Sequence, residues 1–198
     1  MLITPARNEE AYIERTITSV VSQTVLPMKW VIVSDGSTDR TDEIVKRHLP
    51  AHSWMRLLRL PERKERHFAA QVHAFNAGCE EVKHLGFDIK GATVAVQGFG
   101  NVGSVSAELL AGIGARVVGI ADWRGGVYNA KGLDLAKLPD RVRQHKTVSG
   151  FPGAEPLTNE QLFALDVDVL IPAALENQIT MDNAPSIKAK VVVEGANG

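Results

Sequence analysis

The sequence predicts an α/β fold, with about seven mainly parallel strands in one sheet or two, flanked by helices in three layers. Two observations carry this. Short apolar runs, among them Trp30–Val33, Thr93–Gln97 and Asp168–Ile171, alternate with longer stretches whose apolar residues recur at helical spacing. Such alternation yields parallel strands joined by right-handed crossovers. Polar or glycine-rich turns follow the runs, at the carboxyl edge where open parallel sheets take up ligands.

Composition sets the bounds. The 198 residues fit one large domain or two small ones, and 44% hydrophobic with 23% charged content is ordinary for a soluble globular protein. A formal net charge of −1 gives no general attraction for nucleic acid or an anionic membrane, so neither is expected as a partner. Cys79 is the single cysteine and cannot form an internal disulfide, which suits a reducing, cytoplasmic setting. No signal peptide opens the sequence, and no apolar run approaches the ~20 residues that span a bilayer. His48, His52, His67, His73, His84 and His145 show no metal-ligand spacing, so no metal is expected. The oligomeric state stays open.

In the first half, Leu2–Thr4 suits a buried strand, broken by a loop from Pro5 to Glu9. Ile13, Ile17, Val20 and Val21 give a helix within Ala11–Thr24 one buried face, and Pro27 ends it. Trp30–Val33 is a second strand, followed by the turn Asp35–Asp39. The next helix has Asp42 and Glu43 in its first turn, at the positive end of its dipole. Met55–Leu60 is a third strand, and Phe68–Val82 another helix. Both polar loops lie at the carboxyl edge. Their carboxylates either bind a nucleobase and ribose or merely shape a turn and cap a helix.

TPARNEE, YIERTITSVVSQT, WVIVSDGSTDRTDEIV and FNAGCEEV occur in this order. Together they resemble the amino-terminal half of the inverting GT-A glycosyltransferases of family 2, over about 80 residues. That resemblance implies that Pro5, Glu9 and Asp35 line a nucleotide's base and ribose pocket, with Asp39 beside them. It also implies an Asp-x-Asp metal element and a later acidic base, and neither occurs here. Sugar transfer is therefore not expected.

In the second half, Thr93–Gln97 leads straight into Gly98-Phe99-Gly100-Asn101-Val102-Gly103, a G-x-G-x-x-G between a strand and a helix. Gly98 permits the tight turn, Gly100 lets backbone approach a pyrophosphate, and Gly103 allows close helix–strand packing. The helix places Val102, Val105, Leu109 and Ile113 on one side and stops at Gly114. The strand Ala115–Ala121 then ends at Asp122, 19 residues beyond Gly103, near the spacing of about 20 for a ribose-binding acid. The motif in this setting predicts a Rossmann-like dinucleotide site. Asp122 favours NAD, while Arg124 leaves NADP as the alternative. Gly125–Asn129 reads as a turn and short strand, and Thr158 to Gln161 as a capping box. Strands Asp168–Ile171 and Lys190–Val193 deliver Ala173, Ala174 and Asn197 to the same edge, or end in ordinary turns.

KGATVAVQGFGNVG, GGVYNAKGLD, DVDVLIPAALENQIT and VVVEGANG resemble the cofactor domain of hexameric glutamate dehydrogenases, over about 115 residues. By that resemblance Gly98 to Gly103 hold the pyrophosphate and Asp122 the adenosine ribose. Ala173 and Ala174 flank the cofactor, and Asn197 approaches the nicotinamide. The family's catalytic lysine and aspartate lie in a preceding domain. Here residues 1–82 take that place without a matching lysine motif, and the sequence stops at Gly198, before the helices that return to that domain. No catalytic residue is therefore assigned.

The expectation is a chimera, engineered or recombined, of a GT-A-like half-domain (1–82) and a dehydrogenase-like Rossmann domain (83–198). The junction runs from NAGCEEV into KHLGFDIKG with no Pro-, Gly- or Ser-rich linker. Either the two halves merge in one sheet, which the short helical junction favours, or they form two sheets. The leading function is a nucleotide-binding scaffold for NAD without a complete catalytic site. The alternatives are an oxidoreductase completed by a partner chain, and a glycosyltransferase fragment that binds a uridine nucleotide.

Overall fold

The computed structural model of the chain describes residues 1–62, 77–78, 81, 83, 86–175 and 178–195. Asn197, Cys79, His67, His73 and His84 lie outside the described residues, as does most of the helix expected over Phe68–Val82. The chain divides into two compact units, Met1–Leu85 and Gly86–Gly198.

The first unit contains β1 (Leu2–Ala6), α1 (Ile13–Val21), β2 (Trp30–Asp35), α2 (Thr41–His48), a 3-10 turn at Leu49–Ala51 and β3 (Met55–Leu60). β2 pairs in parallel with β1 on one side and β3 on the other. All six β2 residues are buried, the apolar run Trp30–Val33 and the polar Ser34 and Asp35 that follow it. Ile13 and Ile17 of α1 and Ile44 and Val45 of α2 pack with Trp30 and Ile32. The fully buried Trp30 donates its indole N–H to Thr4 Oγ1 at 2.9 Å, and its ring stacks on Trp54 with centroids 6.1 Å apart. β1 runs two residues further than expected. Pro5 and Ala6 belong to the strand, with Pro5 opposite Val33. A proline fits a ladder where its missing N–H would point away from the paired strand.

The second unit contains β4 (Thr93–Gln97), α3 (Asn101–Gly112), β5 (Arg116–Asp122), β6 (Gly125–Tyr128), α4 (Leu138–His145), β7 (Glu155–Leu157), α5 (Asn159–Phe163), β8 (Val169–Pro172), a 3-10 turn at Ala184–Ser186 and β9 (Val191–Val193). Its strand order is β9-β8-β4-β5-β6-β7. β9, β8, β4 and β5 are parallel, while β6 and β7 extend the sheet antiparallel. The chain leaves β4 for β5 on one side and later returns to β8 on the other. This reversal is the topological switch point of an open α/β sheet.

The mainly parallel α/β fold is as expected, but the described residues hold nine strands rather than about seven. β7 is only three residues, Glu-Pro-Leu, and owes its place to pairing with β6 rather than to an apolar run. The buried face of α3 also differs. Gly103, Ser106, Ala107 and Leu110 face the core, whereas Ile113 is 49% exposed. Small residues let the helix lie close to the sheet, and closeness outweighs the larger side chains one position away. α3 stops before Gly114, whose φ of +95° suits a helix terminus, and Thr158 and Gln161 form the full capping box at α5.

At the amino ends of the strands, Asp168 ties three of them together. Its Oδ2 accepts from the N–H and hydroxyl of Thr93, at 2.8 and 2.9 Å, and its Oδ1 from Lys190 Nζ at 2.7 Å. Its carbonyl accepts from Val191 N–H. The Lys190 ammonium foremost, then the Thr93 N–H, hold the Asp168 carboxyl below its ordinary range despite partial burial. A lowered carboxyl contributes stability fully above the unfolded value near 4, and loses it as the pH falls through the lowered value.

Replacing Trp30 by Ala removes a filled core and should cost ~3–5 kcal/mol in urea unfolding. Asp168→Asn should cost ~1–3 kcal/mol at pH 7, the scale of hydrogen bonds to charged groups. Its difference from wild type should shrink as unfolding is followed below pH ~4. An equal difference at every pH would contradict this role.

Candidate functional site

In the second unit, backbone hydrogen bonds align the carboxyl ends of four strands. Gly98 N–H donates to Ala121 O at 2.7 Å, Ala173 N–H to Gln97 O at 2.7 Å, and Gly195 N–H to Pro172 O at 2.8 Å. Gly98, Asp122, Ala173 and Gly195 therefore lie along one edge, with Ala174 following Ala173.

The three glycines of the motif do three different things. Gly98 turns with φ +93°, and a Cβ there would stand 2.6 Å from Ala173 O. A Cβ on Gly103 would stand 1.8 Å from Gly98 O, so α3 meets the end of β4 backbone to backbone. Gly100 has an ordinary φ of −84°, and a Cβ on it would meet no atom of the described residues within 4 Å. The first two glycines are demanded by the protein itself, whereas Gly100 borders space that the described residues leave open. α3 starts there without a side-chain cap and with no acid in its first turn. The N–H groups of Asn101, Val102 and Gly103 thus form an unmasked positive helix end. Phe99 is half-buried and Asn101 exposed.

Asp122 ends β5, but its carboxylate is turned to its own chain. Oδ1 accepts from Thr147 Oγ1 at 3.0 Å and Arg124 N–H at 2.9 Å, and Oδ2 from Val148 N–H at 2.7 Å. Asn159 Nδ2 donates to the Asp122 carbonyl at 3.0 Å. Buried Gln97 donates to Gln178 Oε1 at 2.6 Å, while its own Oε1 has no partner among the described residues.

The first unit has a polar edge of its own at the ends of β1 and β2. Asp35, 3% exposed, takes Arg7 Nη1 on Oδ2 at 3.1 Å, and its Oδ1 has no hydrogen-bond partner among the described residues. The loop carrying Glu9 is stitched to the loop carrying Asp39. Glu9 N–H donates to Thr41 Oγ1 at 2.7 Å and Glu10 N–H to Asp39 Oδ2 at 3.0 Å. Asn8, with φ +56°, accepts Thr38 N–H at 2.8 Å. Burial, then the nearby Asp39 charge, raises the Glu9 carboxyl. Burial would raise Asp39 too, but donors from Thr41 and Glu10 outweigh it and lower it. Pro5 lies in β1 behind this loop.

The residues missed in the sequence are the partners: Arg7 and Thr41 in the first unit, Thr147, Val148 and Asn159 in the second. Thr147 and Val148 stand 25 and 26 positions from Asp122, with no local signal joining them. Among the described residues no cluster of three or more His, Cys, Asp or Glu side chains suits a metal, and no helix is long and apolar enough to cross a membrane.

The family model for Glutamate/Leucine/Phenylalanine/Valine dehydrogenase matches residues 66–198, well over half the sequence. The chain belongs to this family. The model for Glycosyl transferase family 2 matches residues 1–81. Among curated relatives, glutamate dehydrogenase of Thermotoga maritima is 55% identical over 115 residues, covering 58% of this chain and 28% of the relative. The NADP-specific enzyme of Saccharolobus shibatae is 47% identical over 110 residues, covering 56% of this chain and 26% of the relative. Hetero-hexameric glutamate dehydrogenase from Thermus thermophilus superposes with a TM-score of 0.59 at 26% identity, over 93% of this chain and 46% of that one. The matched stretch thus spans little more than a quarter of the curated dehydrogenases, and its signature segments include β4, β6, β8 and β9.

The glycine geometry separates two substitutions. Gly103→Ala should destabilise the protein by ~3 kcal/mol or more, because backbone must move to admit the methyl group. Gly100→Ala should change stability by within ~1 kcal/mol, the scale of a helix-cap exchange. Thermal or urea unfolding of the two variants checks this, and equal losses would show that Gly100 is also packed.

Proposed function

We propose that residues 83–198 bind a nicotinamide adenine dinucleotide and that the chain works as a nucleotide-binding scaffold. The observation that carries this is the space that the described residues leave in front of Gly100 at the uncapped start of α3, at the switch point between β4 and β8. The N–H groups from Phe99 to Gly103 hold the pyrophosphate. Asp122 borders the adenosine ribose, Ala173 and Ala174 flank the cofactor, and Asn197 is assigned to its nicotinamide end. Small residues along the edge leave room for a flat ring. When bound, the cofactor supplies a hydride acceptor or donor. The residues assigned to the edge bind and orient, and none is assigned as nucleophile or general base. A dehydrogenase reaction would need those groups from another chain.

Residues 1–82 are, in this proposal, a glycosyltransferase-like half-domain joined to the cofactor module by recombination or engineering, in a soluble cytoplasmic protein. The two family models, matching 1–81 and 66–198, overlap at residues 66–81, next to this boundary, and each covers one of the two parts, which supports this reading. A second nucleotide pocket in the first unit is favoured by one observation, that the buried Asp35 Oδ1 has no hydrogen-bond partner among the described residues. An acceptor left so at a strand end suits the N–H or hydroxyl of a uridine nucleotide.

Titration of the purified chain with NADH, read by quenching of tryptophan fluorescence, tests the main proposal. Saturable quenching is expected, and Gly100→Val should lose it while keeping its unfolding midpoint. Absence of saturation in a cooperatively folded wild type would overturn the proposal. Calorimetric titration with uridine diphosphate, on wild type and Asp35→Ala, tests the second pocket.

A further inference from the structure

We infer that the second unit carries a further binding site, for a small organic anion with an apolar body, in a cleft at the amino end of β5. The cleft has a volume of about 460 Å³, within the ~300–1,000 Å³ usual for small-molecule sites. β5 runs the seven residues from Arg116 to Asp122, so the cleft lies a strand's length, ~20 Å, from the carboxyl edge. It is separate from the dinucleotide edge and does not rest on that reading.

The floor of the cleft is apolar and held by the fold. Ala111 closes it from the end of α3, Ala115 and Val117 from the start of β5, and Leu133 and Leu135 from the segment after β6. Ala115, Val117 and Leu133 are buried, and Leu133 N–H donates to Val117 O at 2.8 Å. The carbonyls at the negative end of α3 would repel an anion if bare. They are masked, because the N–H groups of Ile113, Gly114 and Ala115 donate to Leu109 O, Ala111 O and Leu110 O.

The mouth is basic. Arg116 and Lys131 line it, both exposed, and neither pairs with a carboxylate among the described residues. Asp134 also lines it, but its Oδ2 is taken by Lys137 Nζ at 2.7 Å. The seat of Arg116 is built. Gly132 holds φ +103°, and a Cβ there would stand 3.1 Å from Arg116 Cγ and 3.7 Å from its Cδ. The arginine stem thus lies across glycine backbone, where a side chain would press on it. Lys131 sits on a turn tied to β5, since its N–H donates to Asn129 Oδ1 at 2.9 Å and Asn129 N–H to Val118 O at 2.8 Å.

This pairing selects the ligand class. A guanidinium and an ammonium without carboxylate partners favour a carboxylate, sulfonate or phosphate ester. Exposed charges alone hold an anion weakly in physiological salt. The ligand therefore also needs an aryl or alkyl part that covers the apolar floor.

The test uses two dyes that brighten in apolar sites, the anionic anilinonaphthalene sulfonate and the neutral phenylnaphthylamine. Both are titrated into the full chain with NAD at saturation, which keeps the sulfonate off the dinucleotide edge. The sulfonate should saturate and bind ~10-fold or more tightly than the amine. Arg116→Ala should weaken the sulfonate by ~5-fold or more and the amine by less than ~2-fold. Ala111→Phe, which fills the cleft from a half-buried position, should weaken both by ~5-fold or more at an unchanged unfolding midpoint. Should that variant not fold, the exposed Lys131→Ala replaces it and should weaken the sulfonate alone by ~3-fold. No saturation in a folded wild type overturns the inference. So do equal affinities for the two dyes, unchanged sulfonate binding in any of these variants, and loss of the sulfonate signal when NAD is added.

Discussion

The approach of α3 to the end of β4 governs the second unit. With no side chain at Gly103, the helix backbone comes to rest on the Gly98 carbonyl, and Gly98 in turn lies against the Ala173 carbonyl. Three backbones thus meet where packing usually places side chains between them. That contact aims the first N–H groups of α3 along the strand ends and leaves Gly100 facing space that none of the described residues fills. It also explains which face of α3 is buried. Once the axis is drawn so near the sheet, Gly103, Ser106 and Ala107 fit beneath it, the valines are left half-buried and Ile113 is turned outward.

Two carboxylates hold the parallel strands at opposite ends. Asp168 gathers Thr93, Lys190 and Val191 at the amino ends, and Asp122 gathers Thr147, Val148 and Asn159 at the carboxyl end of β5. Each accepts from backbone N–H groups, Asp168 from that of Thr93 at the start of β4 and Asp122 from those of Arg124 and Val148 in turns, which would otherwise lack a partner. Such anchoring makes the edge rigid before any ligand arrives, and a rigid cradle lowers the ordering cost of binding. The same anchoring limits what Asp122 can still offer. The carboxylate that a spacing rule assigns to the ligand is largely occupied by the fold.

Much of this was legible in the sequence because the signals are local. Unbroken apolar runs marked the parallel strands, the glycine motif marked the turn from β4 into α3, and Thr158 with Gln161 marked the start of α5. What escaped has a common cause in long-range pairing. β7 exists through its ladder with β6, Pro5 joins β1 through register with Val33, and Thr147 reaches Asp122 across α4. The first-unit loops show the same division. The Asp35–Asp39 turn could be read directly, but its stitching to Asn8, Glu9 and Glu10 could not. Composition and period cannot report which distant donor a carboxylate will find.

That the edge of the second unit is a cradle built in advance for a dinucleotide is tested most directly by amide hydrogen exchange, with and without saturating NADH. The account predicts added protection at Phe99 to Ser104, little change at the already bonded amide of Val148, and none in β1 to β3. Unchanged exchange across Phe99 to Ser104 at saturation would contradict it.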